Sequence, residues 1–171
     1  MKLTTRLLIF ILPTLMLSCV EDKKLNLNNL DVWKDHKAVN LPTDSLVSGT
    51  TYLSAYSQIY SRSEDMMHNL TVTVSMRNMN TADSIYIISA QYYHTDGKLV
   101  KAYFEEPIFL KPMETVEIVI SEIDEAGGTG GNFLFDWKTN PNVNAPHFEA
   151  VMISTMGQQG LSFLTHGINV D

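Results

Sequence analysis

Leu70-Thr71-Val72-Thr73-Val74-Ser75-Met76-Arg77 alternates apolar and polar side chains without a break. A period of two sends the apolar set to one face and the polar set to the other, the pattern of a strand with one buried face. Downstream, Ile85 to Tyr93 repeats the pattern, with Tyr86, Ile88, Ala90 and Tyr92 expected on one side. Asp96-Gly97 then supplies residues suited to the positive φ of a tight hairpin turn, and Lys98 to Phe104 would return. Pro107 to Leu110 predicts a short edge segment, because proline cannot donate to a ladder. Val116, Ile118 and Ile120 alternate with Glu117 and Val119, and Phe133, Phe135 and Trp137 share a face. Phe148 to Thr155 and Gly160 to Thr165 complete the set downstream, and Tyr52 to Tyr60 precedes it. No amphipathic helical window of useful length interrupts these segments. The expectation is an all-β fold, an antiparallel immunoglobulin-like β-sandwich of about eight strands.

The N-terminus reads differently. Lys2 and Arg6 are followed by an apolar run from Leu7 to Leu17. That run is too short to cross a bilayer, which takes about 20 residues, and it has the layout of a signal peptide. Leu17-Ser18-Cys19 resembles the lipobox of bacterial lipoproteins, where the thiol is the nucleophile that receives a diacylglyceryl group. The expected organisation is a signal peptide over 1–18, a lipidated Cys19 with a polar tether over 19–49, and the β-domain over 50–171. Cys19 is the single cysteine of the chain, so no intramolecular disulfide can form and the core must hold the fold.

Charge narrows the partners. The chain carries 12 basic and 19 acidic residues, a formal −7. Loss of Lys2 and Arg6 with the first eighteen residues leaves 10 basic against 19 acidic, a formal −9. Such a chain is repelled by phosphate backbones and lacks a basic stripe, so nucleic acid is excluded as a partner.

From about Tyr52 to Asn169 the chain resembles a bacterial family of unknown function, the domain-of-unknown-function family numbered 3124. The resemblance rests on Ser57-Gln-Ile-Tyr60, Leu70 to Asn78, Tyr92-Tyr-His-Thr-Asp-Gly-Lys-Leu-Val100, Pro107 and Leu110-Lys-Pro112. It continues through Gly127-Gly-Thr-Gly-Gly-Asn-Phe133, Trp137, Glu149-Ala-Val-Met-Ile153, Gly157, Gly160 and Ser162-Phe163. Gly131 departs from it, standing where the family usually has alanine. The resemblance implies an envelope lipoprotein and carries no catalytic residue with it.

Four residue sets invite a functional reading. Gly127, Gly128, Gly130, Gly131 and Asn132 form a candidate binding loop or a mobile or sharply turned connection where side chains would clash; the stretch lacks the lysine and helix of a phosphate loop and opens a strand instead. Tyr56 and Tyr93 belong to a run of tyrosines that serves either recognition or cross-strand packing. His147, Met152, Met156 and His166 combine imidazole and thioether, a set that suits copper, although Met152 falls in an alternating strand where a core role is expected. Ser162 lacks a nucleophile elbow, and the paired carboxylates Glu105-Glu106 and Glu122 to Glu125 flank turns. The expectation is therefore a non-catalytic interaction module without a cofactor, tethered to a bilayer through acylated Cys19 and bound to another envelope protein or glycan. It would sit on the outer membrane, facing the periplasm or the cell surface. The alternatives are a small-ligand or copper-type carrier and a hydrolase.

Overall fold

The computed structural model describes residues 34–38, 41, 45–104, 106–155 and 160–170. Strands β1 (Val47–Ser54), β2 (Gln58–Ser61), β3 (Ser63–Asn69) and β4 (Thr71–Arg77) come first. They are followed by β5 (Ile85–Tyr93), β6 (Leu99–Ala102), β7 (Ile108–Leu110) and β8 (Thr115–Ile120). The chain closes with β9 (Asn132–Thr139), β10 (His147–Ser154), β11 (Leu161–His166) and β12 (Ile168–Asn169). All pairings are antiparallel. A six-stranded sheet runs β12-β1-β9-β5-β6, with β7 also on β5; a four-stranded sheet runs β11-β10-β4-β8; β2 and β3 form a separate hairpin. This is the antiparallel β-sandwich that the alternation predicts.

The strand count exceeds the expected eight because several strands are short or lack alternation. Tyr52 to Tyr60 is broken between Ser54 and Gln58 into β1 and β2. Its partner β3, Ser-Glu-Asp-Met-Met-His-Asn, is exposed over its first five residues, so no apolar period marks it in the sequence. Within the stretch read as tether, Lys34–His36 makes a 3-10 turn, Lys37 bridges Ile108, and Ala38 N–H donates to Pro107 C=O at 2.8 Å. β1 likewise opens at Val47, ahead of the expected boundary at residue 50.

Register decides which side chains enter the core. On β9, Phe133, Phe135 and Trp137 point inward, and on β4, Val72, Val74 and Met76 do, each as alternation predicts. On β5 the expected single face is divided. Ile85 and Ile87 are buried, then Ala90 and Tyr92, while Tyr86 and Ile88 are half-buried. The β5–β9 register shifts between Ile87 and Ser89, and an extra residue in one strand flips the parity of everything after it.

Aromatic rings join the sheets. Phe135 of β9 stacks on Phe148 of β10 with centroids 4.2 Å apart and planes 12° apart. Phe133 stacks on Phe135 at 5.4 Å, and Tyr92 on Phe133 at 4.7 Å. Such pairs add roughly 0.5–1.5 kcal/mol each beyond their burial. At the edge of this column the Trp137 ring lies over Gly49, its cross-strand partner, where any Cβ would fall 2.3 Å from a ring carbon. The indole N–H donates to Thr51 Oγ1 at 2.9 Å, and that hydroxyl donates to Asn169 at 2.8 Å, which ties β12 to β1.

A buried amide closes one end of the sandwich. Asn78 Nδ2 donates to the carbonyls of Asp83 (2.8 Å), Leu110 (3.1 Å) and Lys111 (2.9 Å), and its oxygen accepts from the backbone and side chain of Asn80. Removing one side of a buried network leaves the other groups unsatisfied. Asn78→Ala is expected to cost about 2–3 kcal/mol, measured by urea unfolding. Unfolding free energy within about 0.5 kcal/mol of wild type would show that the end is held by packing alone.

Candidate functional site

The glycine loop is a packed corner. Gly127 lies against Tyr92, and a Cβ at this position would fall only 1.7 Å from the Tyr92 oxygen, so no side chain fits there. Thr95 Oγ1 donates to Gly127 C=O at 3.0 Å and accepts the Gly130 N–H at 2.8 Å. Gly128 N–H donates to Glu125 C=O at 3.0 Å, and Asn132 Nδ2 reaches back to Gly130 C=O at 3.4 Å. These amides bond to the protein's own oxygens, which leaves them turned away from an anion. Glycine at these places is explained by close approach.

Of the two singled-out tyrosines, Tyr56 packs on Phe163 with centroids 6.0 Å apart, and Tyr93 donates its hydroxyl to Gln91 at 2.7 Å. Both are half-buried. The tyrosine that stands out in solvent is Tyr60, opposite Met67 on the β2–β3 hairpin, both more than half exposed. Cys19 and Met156 lie outside the described residues. Met152 is fully buried, on the same inward parity as Phe148 and Ala150.

The outward parity of β10 carries chemistry. His147 and Glu149 are two apart, hence on one face, and Glu149 is the register partner of His166 on β11. His147 Nε2 lies 3.9 Å and His166 Nδ1 3.7 Å from Glu149 Oε2, and the two imidazole centroids are 5.4 Å apart. The other carboxylate oxygen, Oε1, sits 3.5 Å from Arg77 on β4. Arg77 also donates to Ser75 Oγ at 3.4 Å, and Ser75 donates to Glu117 of β8 at 3.4 Å. A polar row thus crosses all four strands. The two histidines stand out in the sequence by residue type, but Glu149 does not. His-x-Glu in an alternating strand is the available signal, and the β10–β11 register is what the sequence does not show.

A second feature lies at the opposite edge of the same sheet. β8 pairs with β4 on one side, and among the described residues its other side carries no backbone hydrogen bond. Asn78 N–H donates to Glu114 C=O, and in an antiparallel ladder this sets the parity. Val116, Ile118 and Ile120 therefore face β4, while the N–H and C=O groups of Thr115, Glu117 and Val119 point outward. The borders of the six-stranded sheet are blunted. β12 has two residues, β7 follows Pro107 and is met by Lys37 and Ala38, and β6 carries Lys101 beside a register shift. β11 is tied to β1 by Thr165 Oγ1, which donates to Ser54 C=O at 2.6 Å. Beside β8 lies a groove of about 540 Å³ lined by Lys101, Tyr103, Val119, Ile123 and Asp124, among others.

Tyr92 and Tyr103 sit in low-polarity surroundings. Burial pushes Tyr92 up to about 12, and burial, with Tyr92 and Asp124 nearby, pushes Tyr103 higher still. Among the described residues no well-formed hydrogen bond reaches the Tyr92 hydroxyl; the Ser57 hydroxyl, which lies beside it, donates to Gly128 C=O at 3.3 Å. A raised value for an acid means that the folded state favours the neutral form. Stability is therefore whole below the ordinary tyrosine value of 10 and is lost as pH climbs through about 12. Tyr92→Phe removes an unsatisfied buried group and is expected to stabilise by about 1 kcal/mol at pH 7. The gain should widen in urea titrations at pH 10.5 and above. A loss of stability at pH 7 would mean that the hydroxyl has a partner.

No curated protein matches the chain. A solved structure, described as that of Thermotoga maritima 1070, is similar over 70% of this chain and 92% of its own, with 9% identity and a TM-score of 0.46. The family model described as "Protein of unknown function (DUF3124)" matches residues 48–170, from the second residue of β1 to just past β12. The chain belongs to the DUF3124 family.

Proposed function

We propose that this protein is a non-catalytic interaction module of the bacterial cell envelope, held to a membrane by lipid on Cys19, and that it takes a partner by strand addition at β8. The open edge of β8 carries the reading. Thr-Val-Glu-Ile-Val-Ile sets five strong strand formers around one charged residue, Glu117, and has no proline, no lysine and no bulge, devices that often protect an edge. Three outward N–H and three outward C=O groups are available to an extended segment. Main-chain pairing supplies affinity in such complexes, and side-chain pockets supply specificity.

The occupant we favour is an extended segment of another envelope protein. Side chains on the inward parity of an added strand would enter the groove beside Tyr103 and Ile123, and Ile123 is 83% exposed. Glu117 projects from the outward face of β8, and an opposite lysine or arginine on the added strand would pair with it. The polar segment after Cys19 gives the domain reach from the membrane. The acidic balance keeps it from adhering to anionic headgroups by charge alone.

The test is capture from detergent-solubilised native envelope with the full acylated chain as bait. Glu117→Pro and Val119→Pro remove outward N–H groups and leave the β4 ladder intact, since proline is tolerated at the free side of an edge. Each should weaken retention of the captured protein about tenfold, the effect of losing roughly 1.4 kcal/mol of ladder bonds. Circular dichroism would verify the fold of each variant. Retention unchanged in both variants contradicts strand addition at β8. Retention of no protein or glycan by the wild type contradicts the interaction reading itself.

A further inference from the structure

We infer that His147, Glu149 and His166 form a binding site for a divalent transition metal of the zinc and copper(II) class, on the outer face of the four-stranded sheet. Each residue offers one ligand atom, and the three atoms lie within 4.8 Å of one another. Zinc sits at about 2.0–2.2 Å from nitrogen and oxygen ligands, so a tetrahedral shell holds its ligand atoms about 3.3 Å apart. Two of the separations are already 3.9 and 3.7 Å. Small χ rotations of side chains that are partly exposed close the rest.

The scaffold and the surrounding hydrogen bonds fit this role. The ligands stand on two hydrogen-bonded strands in register, which fixes their Cα positions more tightly than a loop would. Arg77 holds Glu149 by Oε1, which leaves Oε2 directed at both imidazoles. Arg77 is in turn bonded to Ser75, and Ser75 to Glu117. A ligating carboxylate oriented by a hydrogen-bonded partner is the usual construction of a metal site.

Donor chemistry selects the ion. Two imidazoles and one carboxylate suit zinc, copper(II) and nickel, whereas calcium takes six to eight oxygens and copper(I) favours sulfur. Met152, for which the alternation predicts a core role, points into the core on the opposite parity, and Met156 lies outside the described residues. Among the described residues no fourth ligand joins the three. The remaining position faces solvent, since the His166 side chain is 57% exposed, and a water or a partner's side chain would complete the shell.

This inference stands apart from strand addition. The metal site rests on β10 and β11, and β8 is the other edge of the sheet. Each can fail without the other.

Isothermal titration of zinc chloride and of copper(II) chloride into the full chain, stripped with chelator, tests it directly. One equivalent should bind per chain, and thermal unfolding should shift upward with zinc and not with calcium at equal concentration. His147→Gln and His166→Gln keep polar side chains at partly exposed positions and spare the core. Each should weaken zinc binding at least tenfold, and the double variant should abolish the thermal shift. Arg77→Gln, a positioning change, should weaken binding by a smaller factor without changing stoichiometry. Zinc and copper binding that persists undiminished in the double variant would place the metal at other histidines and overturn the assignment. Absence of any metal-dependent heat or shift in the wild type would overturn it equally.

Discussion

The contact between Phe135 and Phe148 sets the spacing of the whole sandwich. No disulfide can tie the sheets, because the chain has one cysteine, and that residue precedes the domain. The two layers are held by side chains alone, and the stacked pair at 4.2 Å, extended by Phe133 and Tyr92, is where they meet ring to ring. Its consequences reach the surface. Because strand side chains alternate, fixing Phe148 inward on β10 fixes His147 and Glu149 outward on either side of it. The same alternation on β4 turns Val74 and Met76 into the core and Arg77 out to Glu149. The polar row is thus the reverse face of the aromatic core, and its geometry is inherited from core packing.

The two sheets differ in how their borders end. The six-stranded sheet closes its borders with a two-residue strand, a proline-led segment, a lysine and a register shift. In the four-stranded sheet β8 has no proline, lysine or bulge on its outer side. An open, β-prone edge is an aggregation hazard, and most folds blunt it. Its retention here, beside a groove with an exposed isoleucine, is economical if the edge is used. The hairpin of β2 and β3 follows another logic. It packs its base against the glycine corner through Ser57 and Gly128 and carries Tyr60 and Met67 outward at its far end.

Much of this fold is legible in the sequence, and the limits are physical. β4, β8 and β9 each bury one face, so their apolar period survives in the sequence, and their inward residues are those expected; on β10, Met152 is inward as its alternating strand predicts. β3 buries almost nothing and leaves no period to read. β5 looks like one continuous alternation, yet the register shift near Ile88 changes which face its second half presents. The close approach of Gly127 to Tyr92 explains a loop that sequence alone leaves open between a binding feature and a turn where side chains would clash. The site is half visible: His147 and His166 draw attention by residue type. Parity excludes Met152 from their company and admits Glu149, but only the β10–β11 register brings His166 to Glu149. Cross-strand register of this kind depends on turn geometry and on which face is buried, and neither is local to the residues concerned.

Amide hydrogen exchange along β8 distinguishes an open edge from a covered one. In the isolated full chain, exchange should be slow at Val116, Ile118 and Ile120, whose amides face β4, and fast at Thr115, Glu117 and Val119. Addition of a partner captured from the envelope should then slow the second set and leave the first unchanged. Slow exchange at Glu117 and Val119 in the isolated chain would mean that the edge is already covered, and strand addition at β8 would have to be abandoned.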